Sequence, residues 1–165
     1  MIFVTLGSQK FQLNRLLRAI DMQIGSGKIK DTVFAQIGYS DYVPENFEYK
    51  DFLDRNEFLF MQDKCDIIIT HGGTGAIVSA LKKNKKVIAV ARLEKYGEHV
   101  DDHQLQIIRQ FTRSGLICEC KDCDKLSEIL EQVRNTDFVQ YVSNTMTIIN
   151  DIDSFIISSF DIKLY

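Results

Sequence analysis

No stretch of about 18 apolar residues occurs in the chain, so nothing in the sequence reads as a membrane span. The apolar run in MIFVTLGSQKF is too short for a secretory leader and lacks the basic segment that precedes one. A cytoplasmic location is expected, with docking on a membrane-bound partner left open. Excess positive charge is missing too: the formal charge of −3 gives no electrostatic reason to bind nucleic acid. Cysteine is sparse, at Cys65, Cys118, Cys120 and Cys123. The last three cluster in CECKDC, but a structural zinc site takes four Cys or His ligands in paired spacing, and no fourth stands nearby. Reduced thiols and no metal are expected. The one proline is Pro44, and no repeat or low-complexity segment occurs. Residues 1–165 therefore read as a single domain, long enough for a full core.

What is present is an alternation of short apolar runs and helical periodicities. Ile2 to Leu6 reads as a strand and Phe11 to Ile24 as a helix, with Leu13, Leu16, Leu17, Ile20 and Ile24 on one face. Thr32 to Ile37 is a strand, followed by a polar, tyrosine-rich loop. Tyr49 to Leu53 reads as a short strand, and Asn56 to Lys64 as a helix. Asp66 to Thr70 is a buried strand, and Ala76 to Lys83 a helix. Val87 to Ala91 is a strand, Leu105 to Phe111 a helix, Leu116 to Cys120 a strand, and Asp124 to Val133 a helix. The tail from 138 to 160 reads as mostly helical, with Phe138, Val142, Ile149, Ile152, Phe155, Ile156 and Phe160 expected to pack on this domain's own core, while Tyr141, Ile148 and Ile157 widen the apolar arc toward a docking surface. Strands alternating with helices predict a doubly wound, Rossmann-like α/β fold with a largely parallel sheet.

The stretch DIIITHGGTGAIVSAL, Asp66 to Leu81, carries the most chemistry. A strand enters the turn His71-Gly72-Gly73-Thr74-Gly75 and leaves it as a helix. The first N–H groups of a helix have no intrahelical partner, and its dipole places partial positive charge there. Glycines let that backbone approach a phosphate. The turn is neither a Walker A loop, because no Gly-Lys-Ser/Thr follows, nor the Rossmann glycine fingerprint. The three histidines all lie between His71 and His103, the last two in the GEHVDDHQ loop after the next strand. Two such junctions after successive strands predict one crevice at the carboxyl ends of a parallel sheet.

The segments MIFVTLGSQKFQLNRLLRAID, VFAQIGYSDY, YKDFL, DIIITHGGTGAIVSAL and GEHVDDHQLQ occur in this order over residues 1 to 110. Together they resemble the C-terminal domain of family 28 glycosyltransferases. The chain is most similar there to the small catalytic subunits of split transferases. These include the two-part enzyme of dolichol-linked oligosaccharide synthesis and the PssE-type subunits of bacterial capsule and exopolysaccharide synthesis. The resemblance implies the C-terminal, nucleotide-sugar-binding half of a GT-B fold. It implies a UDP-sugar donor, a lipid-linked saccharide acceptor, and a membrane-associated PssD-type partner supplying the acceptor half at the inner face of the membrane. It implies no cofactor.

Carried over residue by residue, Gly72, Gly73, Thr74 and Gly75 match the turn that holds the diphosphate, with His71 at its entrance. Gly7 and Ser8 match the loop facing it. Phe52 and Leu53 match the stretch bordering the uracil. His103 and Gln104 match a pair that contacts donor-sugar hydroxyls, with His99 and Asp101 supporting from the same loop. The family's ribose-binding glutamate, eight residues past His71, is here Ser79. That departure points toward a hexose such as galactose or glucose rather than N-acetylglucosamine. No residue is assigned as catalytic; His71 and Glu98 are outside candidates for a base. A non-catalytic UDP-sugar-binding accessory subunit stays open as an alternative. An epimerase would need a Tyr-x-x-x-Lys pair, which the chain lacks.

Overall fold

Six short runs form strands: β1 Ile2–Thr5, β2 Val33–Gln36, β3 Glu48–Lys50, β4 Ile67–His71, β5 Lys86–Val90 and β6 Cys118–Glu119. The computed structural model describes residues 1–160, so residues 161–165 of the expected single domain lie outside the described residues. Every strand pairing is parallel, in the order β3-β2-β1-β4-β5-β6. The chain winds outward from β1 to β3, then returns to lay β4 on the other side of β1. This is the doubly wound, Rossmann-like order, and its direction reverses between β1 and β4.

The helices are α1 Asn14–Gly25, α2 Arg55–Lys64, α3 Thr74–Lys82, α4 His103–Arg113, α5 Leu126–Arg134 and α6 Thr145–Phe160. The first five cover both faces of the sheet, as parallel strands require. Strand alternation divides the core in two. Val4, Ile67 and Ile69 face α1 and α5, among Leu16, Leu17, Ile20, Leu126 and Leu130. Phe3 and Ile68 face the other layer, among Met61, Ile77, Leu81 and Ile108. Each fully buried Leu or Ile contributes roughly 1.5–3 kcal/mol.

Several boundaries move from those expected, each for a local reason. Helix α1 begins at Asn14 rather than Phe11, because the Phe11 and Gln12 carbonyls are turned onto Arg92. Helix α2 is set by a capping box: Asp54 accepts from the Asn56 and Glu57 amides, and Glu57 accepts from the Asp54 amide. The tyrosine-rich loop is tied down by Asp21, a buried carboxylate on α1. It accepts from Tyr42 Oη at 2.7 Å and from the Asn46 amide at 2.7 Å. Burial pushes the Asp21 pKa up, but the hydrogen bonds from Tyr42, Glu45 and Asn46 outweigh it and hold it low.

The tail departs most from expectation. Its helix starts at Thr145, not Phe138. Phe138 and Tyr141 pack on the core, and the Val139 amide bonds to Gly115 O at 2.9 Å. The helix itself does not pack on this domain's own core: Met146, Ile148, Ile149, Ile152, Phe155, Ile156 and Ile157 are all exposed. An apolar face predicts burial but does not say against what. No helix among the described residues is long and apolar enough to cross a membrane.

Candidate functional site

The crevice expected from the strand order falls between the turns that leave β1 and β4. Thr5 and Thr70 are register partners at the two strand ends, and Thr70 Oγ1 donates to Thr5 O at 2.9 Å. Beyond them the Gly7–Ser8 turn, with Gly7 at φ +72°, faces the Gly72–Gly75 turn. The His71 imidazole is wedged between the two. A Cβ on Gly7 would lie 2.6 Å from His71 Cε1, and one on Gly73 would run into His71 Nε2. Only glycine fits at either position. Gly75 is different: nothing lies within 4 Å of where its Cβ would be.

Helix α3 starts at this mouth with no side-chain cap on Gly73, and its first backbone bond runs from the Ile77 amide to Gly73 O at 3.1 Å. The preceding amides and the positive end of the dipole face the crevice. His71 is buried, and burial together with the Arg92 charge pushes its pKa down to about 4. The imidazole is therefore neutral at neutral pH and adds no cation.

Gln104, on α4, is the brace of the site. It is buried, and its Oε1 accepts from the Gly72 amide at 3.1 Å and the Arg92 amide at 3.0 Å. It joins the ends of β4 and β5, so its oxygen is already committed to backbone.

His103 opens α4 beside it, with its side chain half exposed, and contacts Asp101 through Nδ1. Asp101 also accepts from the His103 amide at 3.0 Å. His99 is enclosed between Phe11, 4.5 Å away by ring centroids, and His103 at 4.8 Å. The ligand atoms of His99, Asp101 and His103 lie within 4.8 Å of one another and could hold a metal ion. The positive end of α4 works against a cation there. Asp102 does not cap α4; its carboxylate accepts from the Glu94 amide at 2.9 Å. Glu98, an outside candidate for a base, is buried in a two-point pair with Arg15, at 3.1 and 3.0 Å. It shapes the loop rather than facing the crevice mouth.

The structure thus brings the Gly7–Ser8 turn, His71, Gly72, Gly73 and Gln104 together, with Thr74 and Gly75 opening α3 beside them and His99, Asp101 and His103 on the loop after β5. Phe52 and Leu53 follow β3 and connect to the Gly7 turn through Gln36, whose Nε2 donates to Gly7 O at 3.4 Å. The Leu53 amide is taken by Gln36 Oε1 at 3.2 Å, whereas Phe52 is exposed and meets Tyr39 edge-on at 5.2 Å. Ser79 Oγ donates to Gln62 Oε1 at 3.1 Å, so its hydroxyl is spent inside the domain. Sequence reasoning missed Arg92. It is fully buried after β5 and donates to Leu6, Phe11 and Gln12 carbonyls. Only its place at the end of an apolar strand could have marked it.

The profile of the glycosyltransferase family 28 C-terminal domain matches residues 1–156. The chain is 26% identical over 138 residues to the UDP-N-acetylglucosamine transferase subunit ALG13 of Candida glabrata, covering 82% of this chain and 60% of that protein. It is 30% identical over 131 residues to the Homo sapiens protein of the same name, covering 73% of this chain and 11% of that one. The chain thus spans 60% or less of the length of these curated relatives. Among solved structures, the calicheamicin glycosyltransferase CalG4 superposes with a TM-score of 0.60 at 18% identity, over 82% of this chain and 34% of that one. That likeness is one of fold. With residues 1–156 matched by the family profile and the fold in agreement, the chain belongs to the glycosyltransferase family 28 C-terminal domain family.

Proposed function

We propose that this chain is the donor-binding, catalytic half of a two-part GT-B glycosyltransferase of the PssE type. It transfers a hexose from a UDP-sugar, galactose or glucose, to a lipid-linked saccharide in exopolysaccharide or capsule synthesis. The observation that carries this reading is the meeting of the two glycine turns on His71, beside the uncapped start of α3. Departure of UDP leaves negative charge on the β-phosphate. The free amides of α3 are oriented toward that charge before it forms, which is where electrostatic catalysis gains most. His103, exposed at the edge of the same crevice, is placed to contact the sugar.

The second half is supplied by a membrane-associated PssD-type partner, which brings the acceptor and the base that activates its hydroxyl. The exposed apolar α6 supports this, because so wide an apolar surface marks a contact site. Recruitment by that partner places a cytoplasmic chain at the inner face of the membrane. Ser79, bonded to Gln62, supports a donor other than N-acetylglucosamine. The names of the relatives favour the opposite reading, a UDP-N-acetylglucosamine donor.

Titration calorimetry with UDP, followed by transfer assays with UDP-galactose, UDP-glucose and UDP-N-acetylglucosamine, with and without partner membranes, separates these readings. Transfer of a hexose only when the partner is present is expected. UDP-sugar binding without turnover in the complex would make the chain an accessory subunit instead. His103→Ala is expected to weaken UDP-sugar binding more than UDP binding.

A further inference from the structure

Arg92 is 0% exposed. Its Nη2 donates to Leu6 O at 2.6 Å and Phe11 O at 3.0 Å, and its Nε to Gln12 O at 3.4 Å. Nη1 is buried and has no hydrogen-bond partner among the described residues. Carbonyls satisfy hydrogen bonds but do not neutralise a charge. None of the ion pairs among the described residues includes Arg92. Glu98 is near enough to be felt, but its carboxylate is engaged by Arg15. Burial lowers the Arg92 pKa only to about 10, so the guanidinium stays charged at neutral pH. A buried charge without a partner is costly, and an anion nearby offsets that cost.

The crevice is where that anion would sit. Leu6 O, the nearest acceptor of Arg92, belongs to the same peptide unit as the Gly7 N–H. A hydrogen bond to the oxygen of a peptide polarises its N–H, strengthening it as a donor. The Arg92 amide shares Gln104 Oε1 with the Gly72 amide, so the same residue is tied to both turns. His71, packed against Gly7, feels the Arg92 charge.

We propose that Arg92 is a positioning residue for the donor's diphosphate. Its charge, sealed beneath the Gly7–Ser8 turn, counterbalances the anion in the crevice, and its three carbonyl bonds hold that turn in shape. It acts through the field and the Leu6–Gly7 peptide rather than by touching the ligand. This rests on the donor-site reading given above.

The test compares UDP with uridine, which carries the base and ribose but no charge, by NMR titration of the full chain and of Arg92→Gln and Arg92→Lys. Arg92→Gln is expected to weaken UDP on the order of tenfold, the size of losing one nearby unit charge at an effective dielectric constant of about 20. Uridine affinity is expected to be unchanged, and Arg92→Lys to retain most of the UDP affinity. Equal weakening of UDP and uridine would reduce Arg92 to a scaffold residue and overturn the proposal. So would UDP affinity in Arg92→Gln equal to wild type. A wild-type chain with no affinity for UDP would instead overturn the donor-site reading itself. Should Arg92→Gln fail to fold, the wild-type Arg92 Nε–H resonance decides: it is expected to shift with UDP and not with uridine, and a resonance indifferent to UDP overturns the proposal.

Discussion

Gln104 and Gly72 meet at the floor of the crevice so closely that a Cβ on Gly72 would lie 2.6 Å from Gln104 Cβ, while Gln104 Oε1 accepts the Gly72 N–H at 3.1 Å. The contact is with the root of the side chain, which no rotamer change relieves. Gly72→Ala must therefore push α4 from the β4 turn and loosen both bonds made by Gln104. Overpacking of this kind costs about 1–3 kcal/mol. A urea unfolding midpoint equal to wild type would contradict the geometry.

Gly75→Ala separates binding from folding. Its Cβ meets nothing within 4 Å, so the domain tolerates it. Alanine in place of glycine where the backbone accepts it, as at Gly75 near the start of α3, stabilises by about 0.4–1 kcal/mol. On the proposed donor site, the same Cβ stands in the space the diphosphate takes at the start of α3. The variant is expected to unfold at higher urea while binding UDP more weakly. Wild-type UDP affinity in this variant would move the diphosphate away from the turn.

His71 predicts an acid sensitivity with a defined window. Its folded pKa, pushed down to about 4 by burial and by Arg92, lies below the unfolded value near 6.5. As pH falls from about 6.5 the unfolded chain takes the proton and the folded chain does not. Stability is then lost down to about pH 4, by about 3 kcal/mol in total. His71→Gln should flatten this slope between pH 6.5 and 4.5. Parallel slopes for the two proteins, measured by urea unfolding, would show that His71 does not carry it.

Cutting the tail in two places gives opposite results. Removal of everything after Ser143 deletes an exposed helix and should leave the unfolding midpoint unchanged. Removal after Arg134 also deletes Phe138 and Tyr141 from the core and the Thr136 carbonyl that Lys86 Nζ binds at 3.0 Å. That cut should lower the midpoint. Only the longer fragment is then suited to asking whether α6 recruits the partner, by pull-down.

The sequence made the centre of the sheet legible because β1, β4 and β5 are continuous apolar runs, buried on both faces. The glycine turns were legible for a related reason: a strand, three glycines and a helix in one short span leave few alternative conformations. Arg92 and Asp21 were not. Each is a charged residue whose burial depends on partners distant in sequence, the 6–12 loop for one and residues 42–46 for the other. The role of Gln104 was hidden likewise, because its hydrogen bonds reach back to Gly72 across 32 residues. Helical periodicity found α6, but it overstated how much of the tail's apolar face this domain's own core would cover, which only the fold could show.

The reversal of strand order between β1 and β4 has a consequence for assembly. The sheet consists of two three-stranded halves, and among the described residues the β1·β4 pairing is the only strand pairing that joins them. One half carries the Gly7–Ser8 wall, and the other carries the Gly72–Gly75 wall with the loop after β5. Neither half contains a crevice. A nucleotide bound there would act as a rivet across the seam, so that ligand binding would add to the stability of the sheet by linkage.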